Sequence, residues 1–380
     1  MSLAGCAPGA HPDVISAALG ALRLSPDSAV ACWNDAGVAL AVCGDSVLCR
    51  ENHLALLLDG RIDNYPEIAA GLGREKVSGP QLLLHAYLRW GADFPRYVLG
   101  DFALALYDAR DRRLLLARDA GGYRPLHYWA RGEKFRFASE ARGLLAAGDI
   151  PLALDERRIA HWLSMLPADP GETFFAGILS VPAGYTLVRE RGHIALHRFW
   201  EPEKIPLLRL RDPREYAEGL RCVLRKAVEH RIPPSGRCGS HLSGGLDSSS
   251  ITATAAQLLA RRGARLTAFT AVPAVPMDDS LFPGCFCDES SHAAATVALY
   301  PDADHVLIPA NAYGVFEILD GMSSAAECPQ LNPWNSIWIY AICREARRRG
   351  LDVLLTGANG NFTISWDGRG ALPALVADGR

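Results

Sequence analysis

Lysine is almost missing from this chain of 380 residues: Lys76, Lys134, Lys204 and Lys226 stand against thirty-five arginines. Beside abundant alanine, that imbalance reads as coding bias rather than a phosphate-binding surface. There is no block of like charge, and the net charge of −3 argues against a nucleic-acid partner. No apolar run reaches the roughly 18 residues of a membrane span. The opening Met1-Ser2-Leu3-Ala4-Gly5-Cys6 lacks a basic stretch ahead of an apolar core, so no secretory signal is read and a cytoplasmic protein without a membrane partner is expected. Pro/Gly/Ser tracts are absent as well. The ten cysteines follow no repeating spacing, which favours free thiols over a disulfide framework. Cys285 and Cys287 form the one tight pair; without a second Cys/His pair they read as loop thiols, not a zinc site.

What is present is a soluble globular composition, 49% apolar and 21% charged, long enough for two domains with separate cores. Residues 54–137 read as short apolar strands at 54–60, 101–108, 113–119 and 127–129, interrupted by helices after Pro66 and around 81–90. A helix near 155–165 and a hairpin of 185–190 with 193–200 follow. Residues 1–200 are thus expected to form an α+β domain with a largely antiparallel sheet. Pro202, Pro206 and Pro213 mark 201–213 as a linker. From 214 to 380 helix and strand alternate: helix 214–231, a strand ending at Leu242, helix Asp247 to about Arg261, strand 265–272, helix 289–300, strand 305–309, a helix near 335–349 and strand 352–356. That pattern predicts an α/β domain with a parallel sheet, whose ligand lies at the carboxyl ends of the strands.

At such an end stands Ser243-Gly244-Gly245-Leu246-Asp247-Ser248-Ser249. The two glycines are expected to let backbone N–H groups turn toward one point, and the helix that follows aims its positive dipole end there. An anion is the natural guest. The loop lacks the Gly-Lys-Ser/Thr ending of a Walker A loop, which argues against γ-phosphoryl transfer. Asp247 offers a carboxylate beside the phosphates, suited to Mg²⁺.

The segment resembles the pyrophosphate loop of adenylating ATP-pyrophosphatases as asparagine synthetases write it. Thr-Ala-Phe-Thr-Ala-Val (267–272), Asp288-Glu289-Ser290 and Thr356-Gly357 fall in that family's order. So do Gly100-Asp101-Phe102-Ala103, Arg118-Asp119, Gly122, Pro125-Leu126, Phe137-Ala138-Ser139-Glu140, Pro182-Ala183-Gly184 and Phe199-Trp200 in the first half. The resemblance implies a glutaminase-like (Ntn-type) sandwich followed by an adenine-nucleotide α-hydrolase-like domain, with ATP and Mg²⁺ as cofactors. ATP and pyrophosphate would lie against Leu242, Ser243, Gly244, Gly245, Leu246, Asp247, Ser248, Ser249, Thr270, Ala271, Thr356 and Gly357, with the adenine at Leu242, Thr270, Ala271 and Gly357. The metal falls to Asp247 and, where the family has a second acid, Asn361.

Against that family several groups are replaced. The cysteine after the initiator is Ser2, the Asn-Gly-Glu that holds oxyanion and glutamine is Asp59-Gly60-Arg61, and the acid that grips the glutamine amino group falls near Gly79-Pro80. A carboxylate in an oxyanion site repels the charge it should stabilise. The first domain therefore reads as a scaffold, and the amine must come from elsewhere. Leu355 to Trp366, with Ala358 where relatives place a base, is most similar to the macrolactam synthetases of lasso peptides. This implies a precursor peptide as substrate, whose activated side-chain carboxylate is attacked by its own N-terminal amine, and a leader peptidase or recognition protein of the same pathway as partner. The family's adenylate-stabilising Lys would lie beyond Arg380, so the synthetase domain reads as incomplete and no catalytic residue is assigned. A β-lactam synthetase-like or other amide ligase, a truncated binding protein and a serine hydrolase with Ser243 as nucleophile are the alternatives. His241, inside a strand, reads as a core or supporting group, and Trp334, Asn335 and Trp338 as core packing.

Overall fold

The computed structural model describes residues 2–360, apart from 8–11, 24–26, 36, 75, 78, 276, 278–285 and 312, together with Ser365. The chain divides into two compact units, Met1–Leu207 and Leu208–Arg380. The division falls within the proline-marked stretch 201–213.

The first unit begins with β1 (Ser2–Ala7), α1 (Pro12–Leu22), β2 (Val30–Asp35), β3 (Val38–Cys43), β4 (Val47–Glu51) and β5 (Leu54–Ile62). Next come α2 (Tyr65–Leu72), α3 (Gln81–Trp90), β6 (Gly100–Asp108), β7 (Arg113–Arg118), β8 (His127–Arg131), β9 (Lys134–Ala138) and α4 (Ala141–Leu145). It closes with α5 (Glu156–Leu163), β10 (Ile178–Ser180), β11 (Tyr185–Glu190) and β12 (His193–Arg198). Two six-stranded sheets result, ordered β10-β8-β9-β1-β3-β2 and β12-β11-β7-β6-β5-β4, with every pairing antiparallel.

Successive strand residues face opposite ways, and here both faces are covered. Leu3, Leu40, Leu57, Ala105, Leu116 and Phe137 meet between the sheets. Their neighbours Leu56, Leu58, Leu104 and Leu115 pack with Ile68 of α2 and Leu83 of α3. On the other sheet Ala4, Ala39 and Ala41 pack with Leu19 of α1 and Leu144 of α4. That four-layer arrangement explains why the strands read as continuous apolar runs rather than alternating ones.

The second unit runs α6 (Pro213–Arg231), β13 (Cys238–His241), α7 (Leu246–Ala260), β14 (Leu266–Val272), α8 (Ser290–Val297), β15 (Ala303–Pro309), α9 (Val315–Ala326), α10 (Pro333–Arg348) and β16 (Val353–Leu355). Its four strands, ordered β15-β14-β13-β16, are all parallel. Leu259 of α7 and Val228 of α6 cover one face with Leu266; Ile342 and Ala346 of α10 cover the other with Phe269. Strand order runs outward from β13 to β15 and then resumes on the other side of β13 at β16. The carboxyl end of β13 is therefore the switch point where a ligand crevice forms.

Helix α9 answers to no element read from the sequence, and the helix expected over 289–300 is shorter. Among the described residues no helix is long and apolar enough to cross a membrane. The nine described cysteines are free thiols; Cys285 lies outside the described residues.

Candidate functional site

A cavity of about 760 Å³ opens at the carboxyl ends of β13, β14 and β16. Leu242, Ser243, Gly245, Asp247 and Ser248 line it from the loop and the first turn of α7, Thr270 and Ala271 from β14, and Thr356 and Gly357 from the end of β16. Nine of the twelve residues assigned to nucleotide thus share one wall. Gly244, Leu246 and Ser249 are off it: Leu246 is 75% exposed, and the Ser249 N–H bonds back to the Gly245 carbonyl at 3.2 Å. Asn361 lies outside the described residues. A separate hollow of about 540 Å³ beside β4, edged by Trp33 and Gln81, contains none of these groups.

The loop is held by its own serines. Ser248 Oγ accepts from the Ser243 N–H at 3.1 Å and lies 2.8 Å from Ser243 Oγ, while the Gly245 N–H donates to Ser243 Oγ at 3.2 Å. Neither Gly244 nor Gly245 takes a positive φ, so the turn does not depend on left-handed backbone. Clearance is what these glycines supply: a Cβ at Gly244 would come within 3.1 Å of His292 Cβ. The Gly244 N–H donates to Glu289 Oε2 at 3.0 Å, so the loop already points a donor at an anionic oxygen. Glu289 reaches the cavity wall from 45 residues away; in sequence it was only the opening of a helix.

Gly245 caps α7 without a side-chain hydrogen bond, leaving first-turn N–H groups unsatisfied within the helix. Asp247, in that turn, accepts from Ser365 Oγ at 2.8 Å through Oδ2. Its Oδ1 is buried and has no hydrogen-bond partner among the described residues. A buried carboxylate oxygen at the edge of this cavity fits one protein ligand of a Mg²⁺ ion, which usually takes one or two carboxylates plus phosphate oxygens and water. Glu289 is the other carboxylate on this wall.

Thr270 Oγ1 lies 2.8 Å from the Leu242 carbonyl and 2.8 Å from His305 Nε2. The hydroxyl's one proton goes to the carbonyl, which can only accept, so His305 must donate from Nε2. This pair pins β14 to the start of the loop. His305 is held below its ordinary pKa by burial.

His241 also lines the cavity. Burial pushes its pKa down to about 4, its Nε2 has no hydrogen-bond partner among the described residues, and Trp338 meets it edge-on at 5.3 Å. Of the three residues of α10 read as core packing, Trp338 packs against the core of Phe269, Ile342 and Ala346. Trp334 is 69% exposed, while Asn335 and Trp338 line the cavity. Ser243 has no imidazole against its hydroxyl among the bonds of the described residues, so nothing arranges it as a hydrolase nucleophile.

In the first unit, Ser2 is 2% exposed in β1, paired across the sheet with Cys43. Asp59 is 1% exposed and its Oδ1 has no hydrogen-bond partner among the described residues. Burial raises its pKa, opposed by Arg124, whose guanidinium stands 3.7 Å away. Arg61 is tied to Asp63 and, at 3.0 Å, to Asp101. Gly60 between them holds φ +121°, where a Cβ would collide with the Asp101 carbonyl.

Fold and loop together define an ATP-pyrophosphatase-like domain behind a class II glutamine amidotransferase domain. Residues 38–200 match the glutamine amidotransferase domain family and residues 219–361 the asparagine synthase family. With both domains in that order, the chain belongs to the asparagine synthetase family. Glutamine-hydrolysing asparagine synthetase 3 of Bacillus subtilis (strain 168) is 31% identical over 196 residues, 51% of this chain and 32% of that protein. Amidase chyE of Penicillium rubens is 25% identical over 360 residues, 91% of this chain and 51% of that protein. The chain thus spans about a third to a half of the length of these curated relatives. Among solved structures, glutamine phosphoribosylpyrophosphate amidotransferase of B. subtilis aligns over 94% of this chain and 91% of its own, at 12% identity and a TM-score of 0.39.

Proposed function

We propose that this protein is an ATP-dependent amide-forming enzyme that activates a side-chain carboxylate of a peptide and closes a lactam with the peptide's N-terminal amine. The observation that carries the reading is Asp247: its buried Oδ1 has no hydrogen-bond partner among the described residues, and it stands in the first turn of α7, inside the cavity that also holds the loop and Thr270, Ala271 and Gly357.

In the first step a substrate carboxylate oxygen bonds to the α-phosphorus of ATP and the bond to pyrophosphate breaks. The first-turn N–H groups of α7 hold the leaving pyrophosphate. Asp247 would hold Mg²⁺, which when bound supplies charge neutralisation for the phosphates. Next the amine nitrogen bonds to the acyl carbon, AMP departs with the electron pair of the broken bond, and a proton is released. Holding both ends of one peptide in a single site can act like an effective concentration of about 10⁵ M or more. The replaced groups at Ser2, Asp59 and Arg61 support an amine source other than glutamine, and a recognition protein that delivers the peptide fits the same scheme.

ATP–pyrophosphate exchange tests the reading. Asp247→Ala is expected to abolish exchange while leaving the fold intact, because serines and glycines shape the loop. Unchanged exchange in a folded variant would remove the metal assignment. Mass spectrometry should find a peptide product lighter by one water, formed with AMP and pyrophosphate and without glutamine or ammonia. Ligation of an added free amine, with the peptide N-terminus untouched, would instead support an intermolecular amide ligase.

A further inference from the structure

His241 ends β13 inside the cavity, yet neither step above uses it. Its neighbour Ser240 bonds Thr252 of α7 at 2.9 Å, whereas His241 meets Trp338 of α10. The cavity therefore has two walls of unlike chemistry. On the α7 wall stand the loop and the carboxylate of Asp247, with Glu289 beside them. On the α10 wall Asn335, Trp338, Ile339 and Ile342 recur at one helical face, with Phe269 beneath.

Within that largely apolar wall the imidazole Nε2 is inaccessible and has no hydrogen-bond partner among the described residues. Buried polar groups left without a partner are few and demand an explanation. Because the ring stays neutral near pH 7, it presents one donor and one acceptor, the complement of a peptide amide. No lysine or arginine lines the cavity among the described residues. A free amino acid would bring its α-carboxylate to a wall with no cation to receive it.

We infer that His241 is a specificity-determining residue, hydrogen-bonding an amide beside the carboxylate to be activated, in a substrate otherwise uncharged at that end. This rests on the adenylation reading above.

The test is ATP–pyrophosphate exchange by the whole chain with two probes, N-acetyl-aspartate N-methylamide and free aspartate. Exchange is expected with the blocked probe and about tenfold less or worse with free aspartate, a difference worth one hydrogen bond or more. His241→Phe keeps a flat ring; it should raise KM for the blocked probe about tenfold and leave KM for ATP unchanged. His241→Gln, with an amide's donor and acceptor, should recover part of the loss. An unchanged probe KM in His241→Phe, or equal use of both probes by the wild type, overturns the inference and leaves adenylation standing. Wild-type protein that binds ATP but exchanges with neither probe removes adenylation and this inference together. If His241→Phe fails to fold, His241→Gln decides: a probe KM shifted about threefold or more supports the inference, and an unshifted one overturns it.

Discussion

Substituting Gly357 with alanine separates two reasons for which a protein keeps a glycine. Gly357 does not occupy positive φ, so alanine is conformationally allowed. An added Cβ would, however, lie 2.7 Å from the Ser248 backbone nitrogen and 2.9 Å from the Asp247 carbonyl carbon. Both are main-chain atoms in the first turn of α7, so no side chain can swing away. Overpacking of this kind costs about 1–3 kcal/mol. If the first turn yields, the strain appears in ligand affinity, roughly 5- to 150-fold at about 1.4 kcal/mol per factor of ten. Gly263 is the control in the same unit: its φ is +68° and nothing lies within 4 Å of an added Cβ. There alanine should cost about 1–2 kcal/mol of stability without touching ATP affinity. Titration calorimetry with ATP and denaturant unfolding measure the two quantities. ATP affinity retained in Gly357→Ala would refute the claim that the β16 end presses on the loop.

Three further outcomes follow from the geometry. Asp59→Asn should raise stability at neutral pH by about 1–3 kcal/mol, by removing a buried charge whose desolvation outweighs the pull of Arg124 at 3.7 Å. Because the folded pKa of Asp59 is raised, the wild type's deficit is complete above that pKa and shrinks as pH falls through it; thermal melts in which Asp59→Asn is the less stable protein would show that Arg124 outweighs burial. Glutamine should not be hydrolysed, and glutamate released above a no-enzyme control and lost in Cys6→Ala would contradict this. Glu289→Gln should strengthen pyrophosphate binding measured without Mg²⁺, since it removes a negative charge beside the Gly244 N–H and leaves a weaker acceptor there; weaker binding would indicate that Glu289 supports the anion site rather than competing for it.

The local text was enough to locate the loop, because strand, Ser-Gly-Gly, acid and helix are consecutive in the chain and their chemistry depends on neighbours within seven residues. It also carried the sheet types: runs such as Leu54–Leu58 are apolar at every position because both faces of the strand are covered. The first four strands escaped that reading. Residues such as Ala4, Gly5 and Ala39 bear no amphipathic signal, and they become strand only through pairing, Gly5 with Leu40 and Phe137. Tertiary structure alone decided the partners of the site. Glu289 reaches the Gly244 N–H and Ser365 reaches Asp247 across 118 residues, and no spacing rule connects such positions. Along α10, Trp334 and Trp338 are one turn apart and chemically identical. One is exposed and the other faces His241, because helix placement against the sheet, not residue type, determines which side chains reach the cavity.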